Sequence, residues 1–233
     1  MRLSIIAVGA ASLAGHALAQ ADTVSYTDAE TGITFQSYTD SDTNVSWRVA
    51  LPEDTTGDYD ALLQIEGPAS LGWIGWAWAG TMAYNPLTVV WANDNEVIHS
   101  SRMAYGFYTP SVYNGTTYQV LKGTGVSGGN FKFTALCKGC TAWKDYDGNR
   151  QTLDLVEPAR LAFALSHTAV NTPSDSSSGF DIHDYVGHWY ADLAASKSAD
   201  FGTWVAKNTP TGANGTAWRR GRPNRARGLM PEI

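Results

Sequence analysis

The chain has 233 residues, 43% of them hydrophobic, with a formal charge of −6 and two cysteines. That length supports one domain with a sizeable core, and the acidic balance argues against a nucleic-acid partner, whose phosphates need a basic face. The charge is uneven: Gln20–Trp218 carries 10 Lys+Arg against 21 Asp+Glu, whereas the last fifteen residues hold five arginines (Arg219, Arg220, Arg222, Arg225, Arg227) and one acid, Glu232.

In chain order, Arg2, the apolar run Leu3–Leu18 and the small-x-small site Ala17-Leu18-Ala19 mark residues 1–19 as a secretory signal peptide. Gly9, Gly15 and His16 interrupt that run and make it a poor membrane span. No other stretch is long and apolar enough to cross a bilayer, so the expected location is extracellular.

Strand signals follow. Ile33–Tyr38, Val45–Ala50, Leu87–Trp91, Tyr118–Leu121, Phe131–Leu136 and Leu161–Leu165 are short runs rich in β-branched and aromatic residues. Turn formers separate them at Asp28–Thr31, Pro52–Asp58, Asn93–Asn95, Asn114-Gly115, Gly123–Gly129 and Asp147–Asn149. The pattern predicts an all-β, antiparallel sandwich or barrel. A further strand is expected near His188–Asp192, then a short C-terminal helix over about Leu193–Val205. From residue 208 onward Thr, Pro, Gly, Asn and Arg replace core formers, which predicts a disordered tail over 208–233 and a domain over 20–207.

Cys137-Lys-Gly-Cys140 reads as a disulfide across a tight turn, because a secreted chain is oxidised and there is no second cysteine pair for zinc. Thr141 follows Cys140, so the His required for c-type haem attachment is missing. Asn44-Val-Ser46, Asn114-Gly-Thr116 and Asn214-Gly-Thr216 are glycosylation acceptors.

Hydrolytic and nucleotide motifs are absent: there is no Gly-x-Ser-x-Gly, His-Glu-x-x-His or Gly-x-Gly-x-x-Gly, and no strand carries a spaced Glu pair for glycoside cleavage. Beyond the signal peptide the candidate ligands are His99, His167, His183 and His188 with Met82, Met103 and Met230. A thioether suits haem iron or copper, and haem needs one ligand per face plus an apolar slot. The run Gly72-Trp73-Ile74-Gly75-Trp76-Ala77-Trp78-Ala79-Gly80-Thr81-Met82 and the segment Phe180–Trp189 supply such a pair in aromatic, glycine-rich settings. A buried Met is also an ordinary gap filler. Trp76 and Trp78, on one side of a strand, would equally suit a sugar-stacking platform, the alternative being a non-catalytic carbohydrate-binding module.

The stretch Gln20–Lys207 resembles the cytochrome domain of fungal cellobiose dehydrogenase, an iron-reductase-type member of the DOMON superfamily. The matching pieces are Tyr26-Thr27-Asp28 with Thr31–Tyr38, Gly72-Trp73-x-Gly75, Gly80-x-Met82, Pro86-Leu87, Trp91, Cys137-x-x-Cys140, Ser174–Ser178, His183-x-x-x-Gly187 and Ala195–Trp204. The resemblance implies an immunoglobulin-like sandwich binding haem b, with Met82 and His183 as axial ligands. His188 lies five residues on and would face the opposite side of a continuous strand; the family pattern, with its ligand before the glycine, favours His183. Trp78 is expected near the macrocycle, and Arg102 or Tyr108 near its propionates. The family's flavin domain is not among these residues. The resemblance therefore implies a monomeric electron carrier fed by an extracellular flavin dehydrogenase and discharged by a copper polysaccharide monooxygenase, ferric ion or quinone, without nucleic-acid or membrane partners.

Overall fold

The computed structural model describes residues 20–155 and 158–211. The expected signal peptide, the Asn214 acceptor and the arginines of the tail lie outside them. The strands in chain order are β1 (Val24–Thr27), β2 (Thr34–Asp40), β3 (Val45–Pro52), β4 (Ala61–Pro68), β5 (Trp73–Ala77), β6 (Pro86–Asn93), β7 (Glu96–Met103) and β8 (Ser111–Val112). They continue with β9 (Thr117–Val120), β10 (Gly125–Ser127), β11 (Asn130–Lys138), β12 (Ala142–Lys144), β13 (Arg150–Thr152), β14 (Ala159–Ser166), β15 (Tyr185–Ala191) and β16 (Lys197–Ser198), and helix α1 (Phe201–Asn208) follows.

Two sheets face each other. One is eight-stranded, in the order β1-β2-β3-β4-β11-β10 with β16 beside β3 and β9 beside β11; the other is six-stranded, β15-β14-β5-β6-β7-β8. Every pairing within them is antiparallel except β16 with β3. This is the predicted sandwich. Its core interleaves Val45, Trp47, Val49, Leu63, Ile65 and Phe133 from the first sheet with Ile74, Trp76, Val90, Phe163, Leu165 and Trp189 from the second. Phe163 stacks on Trp47 at 4.2 Å between ring centroids. Those rings explain why residue 187 is glycine: a Cβ there would lie 2.5 Å from Phe163 Cζ.

The outer face of the larger sheet is also covered. Ile33, Phe35, Ala50, Leu62, Leu121 and Leu136 pack with Phe201, Trp204 and Val205 of α1. This double burial explains why β3 and β4 are buried almost throughout and why β4, Ala-Leu-Leu-Gln-Ile-Glu-Gly-Pro, shows no clean alternation.

The C-terminal helix is shorter and later than the sequence predicts. Its expected first half is taken by a turn and by β16, whose Lys197 and Ser198 pair with Leu51 and Pro52. The fold also runs past Lys207: Asn208 is 1% exposed and donates its side-chain amide to the carbonyls of Thr31 and Trp204. Composition could not show that a polar residue there is buried to satisfy backbone acceptors. Cys137 and Cys140 form the expected disulfide at the turn after β11, inside the core. Asn44 and Asn114 are exposed at turns.

Candidate functional site

Alternation builds the site. In Trp73-Ile74-Gly75-Trp76-Ala77, Ile74 and Trp76 join the inter-sheet core while Gly75 and Ala77 line a cavity on the outer face of the six-stranded sheet. The neighbouring β14 repeats the scheme: Leu161, Phe163 and Leu165 lie in the core, and Ala162 and Ala164 are placed on the other face. Register sets Ala162 opposite Ala77 and Ala164 opposite Gly75, so four small residues form a shallow floor. Leu87 and Val89 of β6 and Val186 and His188 of β15 extend it. Two loops wall it in, Phe107–Pro110 after β7 and Phe180–His183 before β15. The volume is about 640 Å³, inside the roughly 300–1,000 Å³ range of small-molecule and cofactor sites.

Met82 and His183 both line this cavity. Met82 enters from the turn between β5 and β6, half-buried against Ala77, Leu87, Ala104 and Ala162. His183 enters from the β14–β15 connection, two residues before its strand begins. That connection is closed at its neck by Asp184. Its carboxylate accepts from the His167 backbone N–H at 2.9 Å, from the His167 ring at 3.1 Å and from the Ser166 hydroxyl at 3.3 Å. The His167 N–H above all holds the Asp184 carboxyl below its usual pKa; burial opposes it, and the His167 ring and the Ser166 hydroxyl add to the lowering.

His188 lines the cavity too, so the parity argument separating it from His183 fails: residues 183 and 184 precede the extended segment. Hydrogen bonding separates them instead. His188 Nε2 lies 2.7 Å from Arg160 Nη2, and a guanidinium can only donate, so that nitrogen's lone pair is engaged. His183 makes no hydrogen bond among the described residues.

Tyr108 is on the rim, 56% exposed. Trp78 and Arg102 lie outside the lining. Trp78 is in the inter-sheet core, stacked on Trp76 at 4.4 Å, with its indole N–H donated to Thr88 Oγ1 at 3.0 Å. Arg102 is 3% exposed and directs its donors to Ser100 Oγ and to the carbonyls of Pro110, Ser176 and Ser178. Burial lowers its pKa and Asp175 partly offsets this. Arg102 thus ties the loop leading to Phe180 and His183 to the end of the loop carrying Tyr108, and its donors are spent on that structural task. Trp76 and Trp78 are 1% and 0% exposed, which removes the sugar platform: their faces are covered by the opposite sheet.

The cavity fits a flat, mostly apolar prosthetic group held through a thioether and an imidazole. Its floor is stripped of side chains larger than methyl at Gly75, Ala77, Ala162 and Ala164, and the buried indole N–H of Trp73, in its wall, has no partner among the described residues. Sequence reasoning placed Trp73 in the block beside Met82 but missed the alanine floor and Asn85, a fully buried residue. The large/small alternation in β5 and β14 was the available signal for the floor.

Residues 26–203 match the family model of the cytochrome domain of cellobiose dehydrogenase. The pyrroloquinoline quinone-dependent pyranose dehydrogenase of Coprinopsis cinerea is 31% identical over 214 residues, covering 90% of this chain and 29% of that protein, so the chain spans under a third of its relative's length. Among solved structures, the cytochrome b domain of the Coprinopsis cinerea pyranose dehydrogenase superposes with a TM-score of 0.72 at 29% identity, over 79% of this chain and 95% of that one. The cytochrome domain of Myriococcum thermophilum cellobiose dehydrogenase gives 0.72 at 24% identity, over 83% and 99%, a likeness of fold. With the family model matching over most of its length, the chain belongs to the family of cellobiose dehydrogenase cytochrome domains.

Proposed function

We propose that this cytochrome domain is an extracellular haem b electron carrier, with Met82 and His183 as the axial ligands. The observation that carries the reading is that these two side chains, remote in sequence, line one apolar cavity over a floor of Gly75, Ala77, Ala162 and Ala164. Haem bound there supplies a one-electron centre whose potential Met/His ligation raises. The chain's own part is to hold that centre: the apolar walls exclude water, and two protein ligands leave no open coordination position for oxygen or substrate. Arg160, engaged with His188 Nε2, supports His183 as the imidazole ligand.

The donor in this reading is a sugar-oxidising dehydrogenase with a flavin or quinone cofactor; the relatives' names are those of a cellobiose dehydrogenase and a quinone-dependent pyranose dehydrogenase. The acceptors are a copper polysaccharide monooxygenase, ferric ion or a quinone. The surplus of acidic residues on the body would tune encounter rates through electrostatic complementarity more than affinity. Residues 1–19 act as the secretion signal, and the disulfide and the exposed Asn44 and Asn114 acceptors suit an oxidising, glycosylating route. No helix among the described residues is long and apolar enough to cross a membrane.

The test compares haem titrations of the parent, His183→Ala and His188→Ala proteins. The expected result is loss of stable haem binding in His183→Ala and its retention in His188→Ala. The opposite pattern would move the ligand to His188, and unchanged binding in both would remove the histidines from the site.

A further inference from the structure

A methionine ligand poses a mechanical problem. Its side chain turns about three bonds and its thioether binds weakly, so the backbone must hold it in place if the iron–sulfur contact is to persist. Met82 lies on no regular element; it sits in the turn between β5 and β6. That turn adopts unusual backbone conformations on both sides of the ligand. Gly80 has φ +68°, where a Cβ would lie 2.8 Å from the Arg160 carbonyl oxygen. Tyr84 has φ +62°, a left-handed conformation disfavoured for a bulky residue. Something must compensate for that local strain.

We infer that Asn85 is the positioning residue for the Met82 thioether. Its side chain is fully buried, and every hydrogen bond it makes goes to the turn that carries Met82. Its Oδ1 accepts from the Ala79 backbone N–H at 3.1 Å. Its Nδ2 donates to the Thr81 carbonyl at 2.8 Å, to Thr81 Oγ1 at 3.3 Å and to the Ala83 carbonyl at 3.1 Å. The amide therefore grips the chain at residue 79 before the methionine and at residues 81 and 83 immediately on either side of it. Thr81 Oγ1 adds a bond to the same Ala83 carbonyl at 3.1 Å. Outer anchors fix the far end: Tyr84 N–H donates to the Ala104 carbonyl, and Trp143 Nε1 donates to the Tyr84 carbonyl at 2.9 Å. Asn85 is absent from the cavity lining, so it acts through Met82 and not on the bound group.

The chemistry at this position is narrow. The site needs one acceptor and one two-proton donor on a short planar group, which Asn supplies and Ala, Asp and Leu do not. Aspartate would still accept from Ala79 but would face the Thr81 and Ala83 carbonyls without a proton to give them.

The inference rests on Met82 being a ligand, so the test carries a control for that reading. Asn85→Ala and the near-isosteric Asn85→Asp are compared with the parent and with Met82→Ala. Amide hydrogen exchange is measured on each protein without haem, and the ferric thioether-to-iron charge-transfer band and reduction potential on each with haem. In both Asn85 variants, amides of residues 79–84 should exchange at least about tenfold faster while those of β6 and β14 keep their protection. The charge-transfer band should weaken and the potential fall towards that of Met82→Ala. Parent-like exchange, band and potential in both Asn85 variants, with the band lost in Met82→Ala, would overturn the inference and leave the ligand reading standing. A band that persists in Met82→Ala would overturn the ligand reading and this inference with it.

Discussion

Asp28 offers a quantitative check on the eight-stranded sheet, which backs the one that carries the site. It lies in the turn between β1 and β2 and is 1% exposed. Its Oδ1 accepts from the backbone N–H groups of Glu30 and Thr31 and from the Thr31 hydroxyl. Its Oδ2 accepts from Gln64 Nε2 at 3.1 Å and Lys132 Nζ at 3.0 Å, stitching the turn to β4 and β11. Burial on its own would raise the carboxyl pKa. The donors, led by the Thr31 N–H and Lys132, outweigh burial and bring it from 3.8 down to about 2. A folded-state value below the unfolded one means the carboxylate stabilises the fold above the unfolded pKa, and this contribution fades as pH falls from 3.8 towards 2. At about 1.36 kcal/mol per pKa unit, the contribution at neutral pH is roughly 2 kcal/mol. Asp28→Asn keeps the shape and removes the titration. Urea unfolding followed by tryptophan fluorescence should therefore show the parent's advantage over the variant shrinking by about 2 kcal/mol between pH 7 and pH 2. A difference that is independent of pH would refute the assignment of the network to the Asp28 carboxylate.

Two further substitutions separate site from scaffold. Ala162→Leu adds bulk to the cavity floor and not to the inter-sheet core; it should weaken haem uptake while unfolding of the haem-free protein changes by less than about 1 kcal/mol, measured by haem titration and urea melts. Arg102→Leu acts through the scaffold instead. It strands the carbonyls of Ser176 and Ser178 and should lower the stability of the haem-free protein by about 2 kcal/mol, with Arg102→Lys recovering part of the loss. A cost below about 0.5 kcal/mol in Arg102→Leu would contradict the clamp.

The sandwich was legible because most strands alternate or carry β-branched and aromatic residues between strong turn formers. β4 escaped because both its faces are covered, which erases the alternation. β7, Glu-Val-Ile-His-Ser-Ser-Arg-Met, escaped because its polar side chains are used inside the fold: Ser100 Oγ accepts from Arg102 Nε at 2.6 Å. Met82 and His183 were nominated by family resemblance and by residue chemistry, and the fold brings them to one cavity. Arg102 and Trp78 were placed by the same resemblance but sit elsewhere, since a buried Arg can direct its donors to a hydroxyl and to loop carbonyls and a Trp one residue past Ala77 faces the core. Asn85 precedes Pro86 and reads in sequence only as a turn signal. Its four bonds back across its own turn depend on backbone geometry that composition does not encode.

The most direct test of the central claim is the absorption spectrum of the protein supplied with haem, recorded oxidised and then after dithionite reduction. The account predicts a low-spin, six-coordinate spectrum in both states, with sharp bands that intensify on reduction and no change when carbon monoxide is added. A high-spin spectrum that responds to carbon monoxide would show an open coordination position and contradict the Met82–His183 pair; a featureless visible region would contradict haem binding itself.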